Sequence, residues 1–210
     1  MVRHITIQYV DDSTSVVSCN DFEVLRKYLQ DYYDLLVIHY KNNKLVLNGD
    51  KTAIMLLKGV NMKTMKKNMS IMTETSATLS DQKQMKVIGL WRNQTNCMST
   101  HIRKTKNVTS KLLREIQPHL NLVDQKSRQE IVKSKIISIV TYGIELYQGQ
   151  TNEVKQMFCT TMNKCYRYIH GGYTLYLRND ILCKRIGVVK PEDMIRNAAI
   201  LFMHKLIETK

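Results

Sequence analysis

The chain has 210 residues, 43% of them hydrophobic, which is enough for one domain or a small pair with a buried core. No apolar run approaches the ~20 residues that a bilayer crossing needs, and the start, Met1-Val2-Arg3-His4-Ile5, lacks the apolar segment of a secretory signal. The five cysteines (Cys19, Cys97, Cys159, Cys165 and Cys183) are odd in number, scattered and without a Cys-x-x-Cys, which excludes a recognisable zinc or disulfide framework. The expectation is reduced thiols in an intracellular protein, nuclear or cytoplasmic, with no membrane partner. The sequons at Asn68, Asn93 and Asn107 are then irrelevant to glycosylation.

The net charge of +14 is unevenly spread. Residues 1–57 hold 6 Lys/Arg and 7 Asp/Glu, and residues 58–210 hold 26 and 11. An acidic first quarter ahead of a basic remainder suits a protein that holds metals at one place and grips a phosphate backbone with the rest.

Arg3 to Tyr9 alternates and is β-branched at Ile5, Thr6 and Ile7, and Ser13 to Ser18 is a second β-prone run. Two such runs about a short polar junction predict a β-hairpin. Its tip carries Tyr9-Val10-Asp11-Asp12. Adjacent aspartates are ordinary turn chemistry. They are also hard oxygen ligands of the kind Mg²⁺ takes beside phosphate oxygens. Asn20, with Glu23 three residues on, predicts a capped helix start. Phe22, Leu25, Leu29, Tyr32, Leu36 and His39 follow at helical spacing. Tyr28, Tyr32 and Tyr33 read as packing residues.

Lys44 to Leu47 is a short apolar run. Asn48-Gly49-Asp50-Lys51-Thr52 has turn composition, and Ala53 to Leu57 reads as a strand. Lys51 is a solvated turn lysine or a cation near a triphosphate. Lys58, Lys63, Lys66 and Lys67 crowd a Met-rich segment, where Met69 to Thr73 and Ser76 to Leu79 suggest a small hairpin. Met85 to Trp91 reads as one strand, with Gly89 marking a bulge or close backbone approach and Trp91 in the core.

From Met98 on the pattern is helical. Ile102, Leu112, Leu113, Ile116 and Leu120 form a stripe, with Arg103, Lys104, Lys106, Lys111 and Arg114 between them and Pro118 as a stop or kink. Asp124 predicts the next cap. Further helices fit Glu153 to Ile169 and a segment from Pro191, whose stripe is Ile195, Ala198, Ala199, Phe202 and Leu206. The fold class predicted is α+β: a β-rich part over 1–93 with one packed helix, then a nearly all-helical part over 94–210. The basic residues of the helices are either a solvated surface or contacts to a nucleic-acid backbone.

Taken in order, these pieces resemble the C-terminal part of a reverse transcriptase from a non-LTR retrotransposon, LINE-like and of the jockey type. Tyr9-Val10-Asp11-Asp12 resembles motif C, and Asn48 with Lys51-Thr52 resembles the Asn-x-x-Lys-Thr of motif D. Met85 to Trp91 resembles the strand of the primer grip. His101-Ile102, Tyr142-Gly143-Ile144-Glu145-Leu146-Tyr147, and Leu182 to Val188 with the helix after Pro191 resemble the thumb and connecting helices. The resemblance spans nearly the whole chain.

It implies a partial polymerase palm over 1–93 and a helical thumb and connection over 94–210. Asp11 would be the main carboxylate for two Mg²⁺ ions, with Asp12 a weaker partner. Tyr9 would line the site near the primer end, Lys51 would lie near the incoming deoxynucleoside triphosphate, and Gly89 would hold the primer. The reaction implied is RNA-templated extension of a DNA primer by two-metal nucleotidyl transfer. Only eight residues precede Tyr9, and no second aspartate strand follows it. The 210-residue polypeptide is therefore expected to be inactive alone, for want of motif A and the fingers. The other reading is a non-catalytic basic nucleic-acid-binding protein derived from a mobile element.

Overall fold

The computed structural model describes residues 1–9, 12–49, 51–57, 69–73, 78–171 and 176–208. The architecture is α+β: two-stranded antiparallel sheets and one long helix, then a run of helices. The chain divides into two compact units, Met1–Asn96 and Cys97–Lys210.

In the first unit, β1 (Arg3–Tyr9) and β2 (Asp12–Ser18) form the hairpin, paired from Arg3↔Ser18 to Tyr9↔Asp12. Strand alternation puts Ile5, Ile7 and Val16 on one face and His4, Thr6 and Ser15 on the other. The polar face is the packed one. It meets helix α1 (Phe22–Asn42), where the Tyr32 hydroxyl lies 2.9 Å from Ser15 Oγ and 3.3 Å from Thr6 Oγ1. His4 Nδ1 is 3.1 Å from the Tyr28 hydroxyl, and the His4 ring stands edge-on to Tyr32 at 4.5 Å. Ile5, Ile7 and Val16 are exposed, at 65%, 50% and 49%.

The cap of α1 is Asp21 rather than Asn20. Its carboxylate accepts from Glu23 N (2.8 Å) and Val24 N (3.0 Å), satisfying two of the donors that a helix start leaves open. Leu25, Tyr33 and Val37 are the buried positions of the helix. His39, expected on that stripe, is exposed in the last turn.

Strands β3 (Ser70–Met72) and β4 (Thr78–Ser80) pair antiparallel, close to the small hairpin expected there. Ser76 and the lysine-rich residues 58–68 lie outside the described residues. Two small cores result: Leu25, Leu56 and Met69, and Tyr33, Val37 and Ile71. The strand expected over 53–57 does not form. Ile54 makes a single parallel bridge to Asp81, and the Asp81 carboxylate takes the Leu56 amide at 2.7 Å, a donor that a ladder would have used.

The segment expected as one strand over 85–91 is instead a hairpin of β5 (Gln84–Val87) and β6 (Leu90–Asn93), closed at Val87↔Leu90. The two turn residues, Ile88 and Gly89, have φ of 45° and 77°. Positive φ at both positions is the type I′ form of a two-residue hairpin turn. Gly89 takes it freely, whereas a β-branched Ile88 is strained there. Trp91, expected in the core, is half-buried on β6.

The second unit is built around helix α5 (Asn152–His170), the most buried of the helices. Val154, Phe158, Met162, Cys165 and Ile169 lie along it, each no more than 1% exposed. Helix α2 (Ser99–Leu120) packs on it through Ile102, Leu113 and Leu120. Thr105 and Thr109 complete that buried stripe, while Leu112 and Ile116 are half-buried. Pro118 sits inside the last turn and does not break the helix, because only one amide bond near the end is forfeited.

Helix α3 (Gln125–Val132) is capped by Asp124, whose carboxylate accepts from Ser127 N at 2.7 Å. It runs through a π-helical turn, Lys133–Ile137, into the short α4 (Ser138–Val140). A 3₁₀ turn, Ile144–Tyr147, follows, with the Tyr147 ring 5.2 Å from that of Phe158. Gly171 ends α5 at φ 99°, where a β-carbon would collide with the Arg128 guanidinium. Helices α6 (Asn179–Ile186) and α7 (Pro191–Glu208) close the unit. Of the stripe expected on α7 only Ile195 is buried; Phe202 and Leu206 are exposed, since burial on this helix ends at Ala199. Among the described residues no helix is long and apolar enough to cross a membrane.

Three outcomes follow from these packings. Limited trypsin digestion is expected to degrade residues 1–96 first and leave a fragment over 97–210, and equal resistance of the two parts would contradict the disparity in their cores. Ile88→Asn relieves the left-handed strain and should stabilise the β5–β6 hairpin by about 1 kcal/mol, seen as slower amide exchange of Val87 and Leu90.

The third concerns alkali. Burial pushes the Cys165 thiol up from 9.0 to about 12. The Cys159 thiol rises to about 12 through burial and then the nearby Glu192 carboxylate. The folded state keeps protons that the unfolded state releases, so stability is full below pH 9 and falls between pH 9 and about 12. Urea titrations across that range should give a falling midpoint, with a shallower fall in Cys165→Ala.

Candidate nucleic-acid and nucleotide site

The predicted site residues that the structure describes fall on separate local structures. At the hairpin, the ladder runs to its end at Tyr9↔Asp12, and Asp12 is exposed as the first residue of β2. Val10 and Asp11 lie outside the described residues. Among the described residues no group of three His, Cys, Asp or Glu is arranged to hold a metal ion. Asp12 therefore offers one carboxylate at the hairpin end, and the donor set for a two-metal centre is not present among the described residues.

Lys51 stands on a turn organised by Asn48. The Lys51 amide donates to Asn48 Oδ1 and to Asn48 O, both at 3.2 Å. Thr52 binds the same carbonyl twice, through its amide at 3.0 Å and its hydroxyl at 2.8 Å. This gives a physical reason for the Asn-x-x-Lys-Thr spacing. The asparagine and threonine side chains close the turn, and the lysine between them contributes its amide to that closure while the residue stays exposed. The turn-forming role of Asn48 was not assigned from the sequence, although Asx-turn chemistry is readable there.

Gly89 sits at the tip of the β5–β6 hairpin beside the exposed, strained Ile88. The conformation that Gly89 supplies is a turn, not a bulge within a strand.

The five basic residues predicted on one helix are all on α2. Arg103, Lys106, Lys111 and Arg114 are exposed and Lys104 is half-buried. At 100° per residue the five span an arc of roughly 160° centred opposite the buried Thr105, with Lys106 at its edge about 20° from Leu113, over about 16 Å of axis. Lys111 pairs with Glu115 at 3.9 Å, an exposed i,i+4 contact that leaves the ammonium accessible. Arg114 Nε donates to Ser110 O at 3.2 Å. Lys164 of α5 adds a sixth cation that helical periodicity could not reveal, since it reaches α2 from the neighbouring helix and donates to Ser110 Oγ at 3.1 Å.

The structure thus brings the α2 cations together and joins Tyr9 to Asp12, while Lys51 and Gly89 occupy two further turns of the first unit. No protein-family model, curated protein or solved structure matches the chain.

If the Asn48 side chain helps close the turn, Asn48→Ala should loosen the Lys51 amide, which loses its Oδ1 acceptor, while the main-chain carbonyl that takes the Thr52 amide remains. Hydrogen exchange of Lys51 should accelerate several-fold, whereas Asn48→Asp, which keeps the acceptor, should leave it near wild type.

Proposed function

We propose that this chain is the motif C, thumb and connecting part of a retrotransposon reverse transcriptase, an RNA-directed DNA polymerase. The observation that carries the reading is the Tyr9-Val10-Asp11-Asp12 string at the junction of an antiparallel hairpin whose opposite face rests on a helix. Mg²⁺ takes one or two carboxylates together with phosphate oxygens, the donor type that adjacent aspartates in this string offer. The self-closing Asn48 turn with its exposed Lys51, the strained turn at Ile88-Gly89 and the basic α2 face lend support in the order the resemblance requires.

In this reading Asp11 and Asp12 supply carboxylates to Mg²⁺, which lowers the barrier to attack of the primer 3′-oxygen on the α-phosphate of a deoxynucleoside triphosphate. Tyr9 borders the primer end, Lys51 meets the triphosphate, Gly89 meets the primer, and Arg103, Lys104, Lys106, Lys111 and Arg114 follow the template–primer backbone.

The second reading, a basic binding protein of mobile-element descent, is favoured by the +14 charge and the clustering of cations on α2. One comparison separates the two. The DNA upstream of the Met1 codon is read, and the chain is expressed with whatever polymerase segment it encodes.

On an RNA template with Mg²⁺, the extended protein should add deoxynucleotides to a DNA primer, and Asp11→Asn should reduce that at least 10³-fold. Binding of the RNA–DNA duplex should weaken with salt, and Arg103→Ala with Arg114→Ala should lower the log–log slope by about 0.9 per lost phosphate contact. Salt-dependent binding with no polymerase coding upstream, and no effect of Asp11→Asn, would sink the polymerase reading and leave the binding protein.

A further inference from the structure

Helix α7 outruns the core it closes. Ile195 is buried, and Ala198 and Ala199 are half-buried, but over residues 200–208 every position is exposed. That stretch is not composed for water. Ile200, Leu201, Phe202, Met203, Leu206 and Ile207 are 40–68% exposed. At 100° per residue, all of these but Leu201 fall within an arc of about 160°. Ile195, Ala199, Phe202 and Leu206 follow one another at steps of four, three and four, the spacing that holds apolar residues in one row against a partner helix. The first member of the row meets the unit's own core, and the row then continues past it.

The composition of the row restricts what can cover it. Over residues 197–207 the only charged side chain is Lys205, with His204 beside it, so a phosphate backbone finds almost nothing to hold. Helices that lie in a membrane surface carry a polar face rich in lysine and arginine. The side of α7 opposite the arc holds Asn197, His204 and Glu208 instead. A helix with a matching apolar row does fit, and a second copy of this chain brings one. Although each copy has a net charge of +14, the patch itself is nearly uncharged, so two copies can approach there.

The area is adequate. With about 200 Å² for a large side chain fully bared, the five residues of the arc expose roughly 500 Å² per copy, or about 1,000 Å² in a pair. A specific interface needs about 1,000 Å². Ala199, small and within the row, lets two helix axes close to about 8 Å.

We propose that α7 pairs with α7 of a second copy about a two-fold axis, each helix covering Ala199, Phe202, Met203 and Leu206 of the other. The pairing stands apart from the polymerase reading, since it uses no residue given a role there.

The test is sedimentation equilibrium of the full chain from about 1 to 100 μM, in about 0.5 M NaCl so that charge is screened and nucleic acid is released. A monomer–dimer equilibrium is expected in that range. Its dissociation constant should weaken at least tenfold in a Phe202→Gln, Met203→Gln double variant and stay unchanged in a Leu35→Gln, Ile38→Gln double variant of α1; all four positions are exposed. Hydrogen exchange of the wild-type chain gives a reading that needs no variant, because the amides of residues 199–207 should slow as concentration rises. A chain still monomeric at 100 μM overturns the proposal. So does association that the α7 variant leaves unchanged, that both variants weaken alike, or that protects other segments in place of α7. A monomer captured by phosphatidylcholine vesicles, and released by the α7 variant, overturns it in favour of a membrane surface.

Discussion

The first unit depends on one polar contact, the seat of the β1–β2 hairpin on α1. Tyr28 and Tyr32 reach His4, Thr6 and Ser15, so the hairpin is anchored by hydroxyls and an imidazole rather than by its isoleucines. Because strand side chains alternate, anchoring that face turns Ile5, Ile7 and Val16 outward. A hydrogen-bonded seat is directional. It fixes the register of the hairpin against the helix, and with it the position of the Tyr9↔Asp12 end, at a smaller gain in apolar burial than a hydrophobic seat would give.

The second unit rests on the opposite strategy. Its helices surround α5, and side chains such as Phe158, Met162 and Ile169 are wholly enclosed. Polar side chains also enter that core, among them Thr100, His101, Thr105, Thr109, Thr161 and Asn163. Tyr166 does so with its hydroxyl given to Val189 O at 3.0 Å and set 3.2 Å from Met194 Sδ. Arg103, Lys106, Lys111 and Arg114 stand exposed on α2, where they cost little in desolvation. One unit thus carries a few specifically placed groups on thin local structures, while the other offers a robust body with a charged surface.

Much of this was legible in the sequence because it rests on short-range rules. The hairpin, the helices after Met98, the Asp124 cap and the Pro191 start follow from alternation, periodicity and capping chemistry. What was not legible is equally physical. Asp21 competes with Asn20 for the same cap, and only the backbone path decides. Ile88 reads as a strand residue by propensity, and its left-handed conformation is imposed by the pairing of β5 with β6. Asp81 intercepts the Leu56 amide from far along the chain, which no local pattern encodes. Of the candidate site, the residue types and their order could be read. The approach of Lys164 to α2 required three dimensions.

The π-helical turn at Lys133–Ile137 bears on how this sequence can change. Val132, Ile136 and Val140 are all fully buried at successive spacings of four. In an ideal α-helix each step of four overshoots a full turn by about 40°, so two steps would swing Val140 roughly 80° away from the line of Val132. The wider turn absorbs that drift and keeps the three in one row. The segment therefore behaves as an inserted residue whose surplus rotation is taken up within one turn. Deleting a single residue there would restore ideal helix geometry and set Val132 and Val140 seven residues apart, about 20° short of two full turns, so the buried row is compatible with either length of the segment.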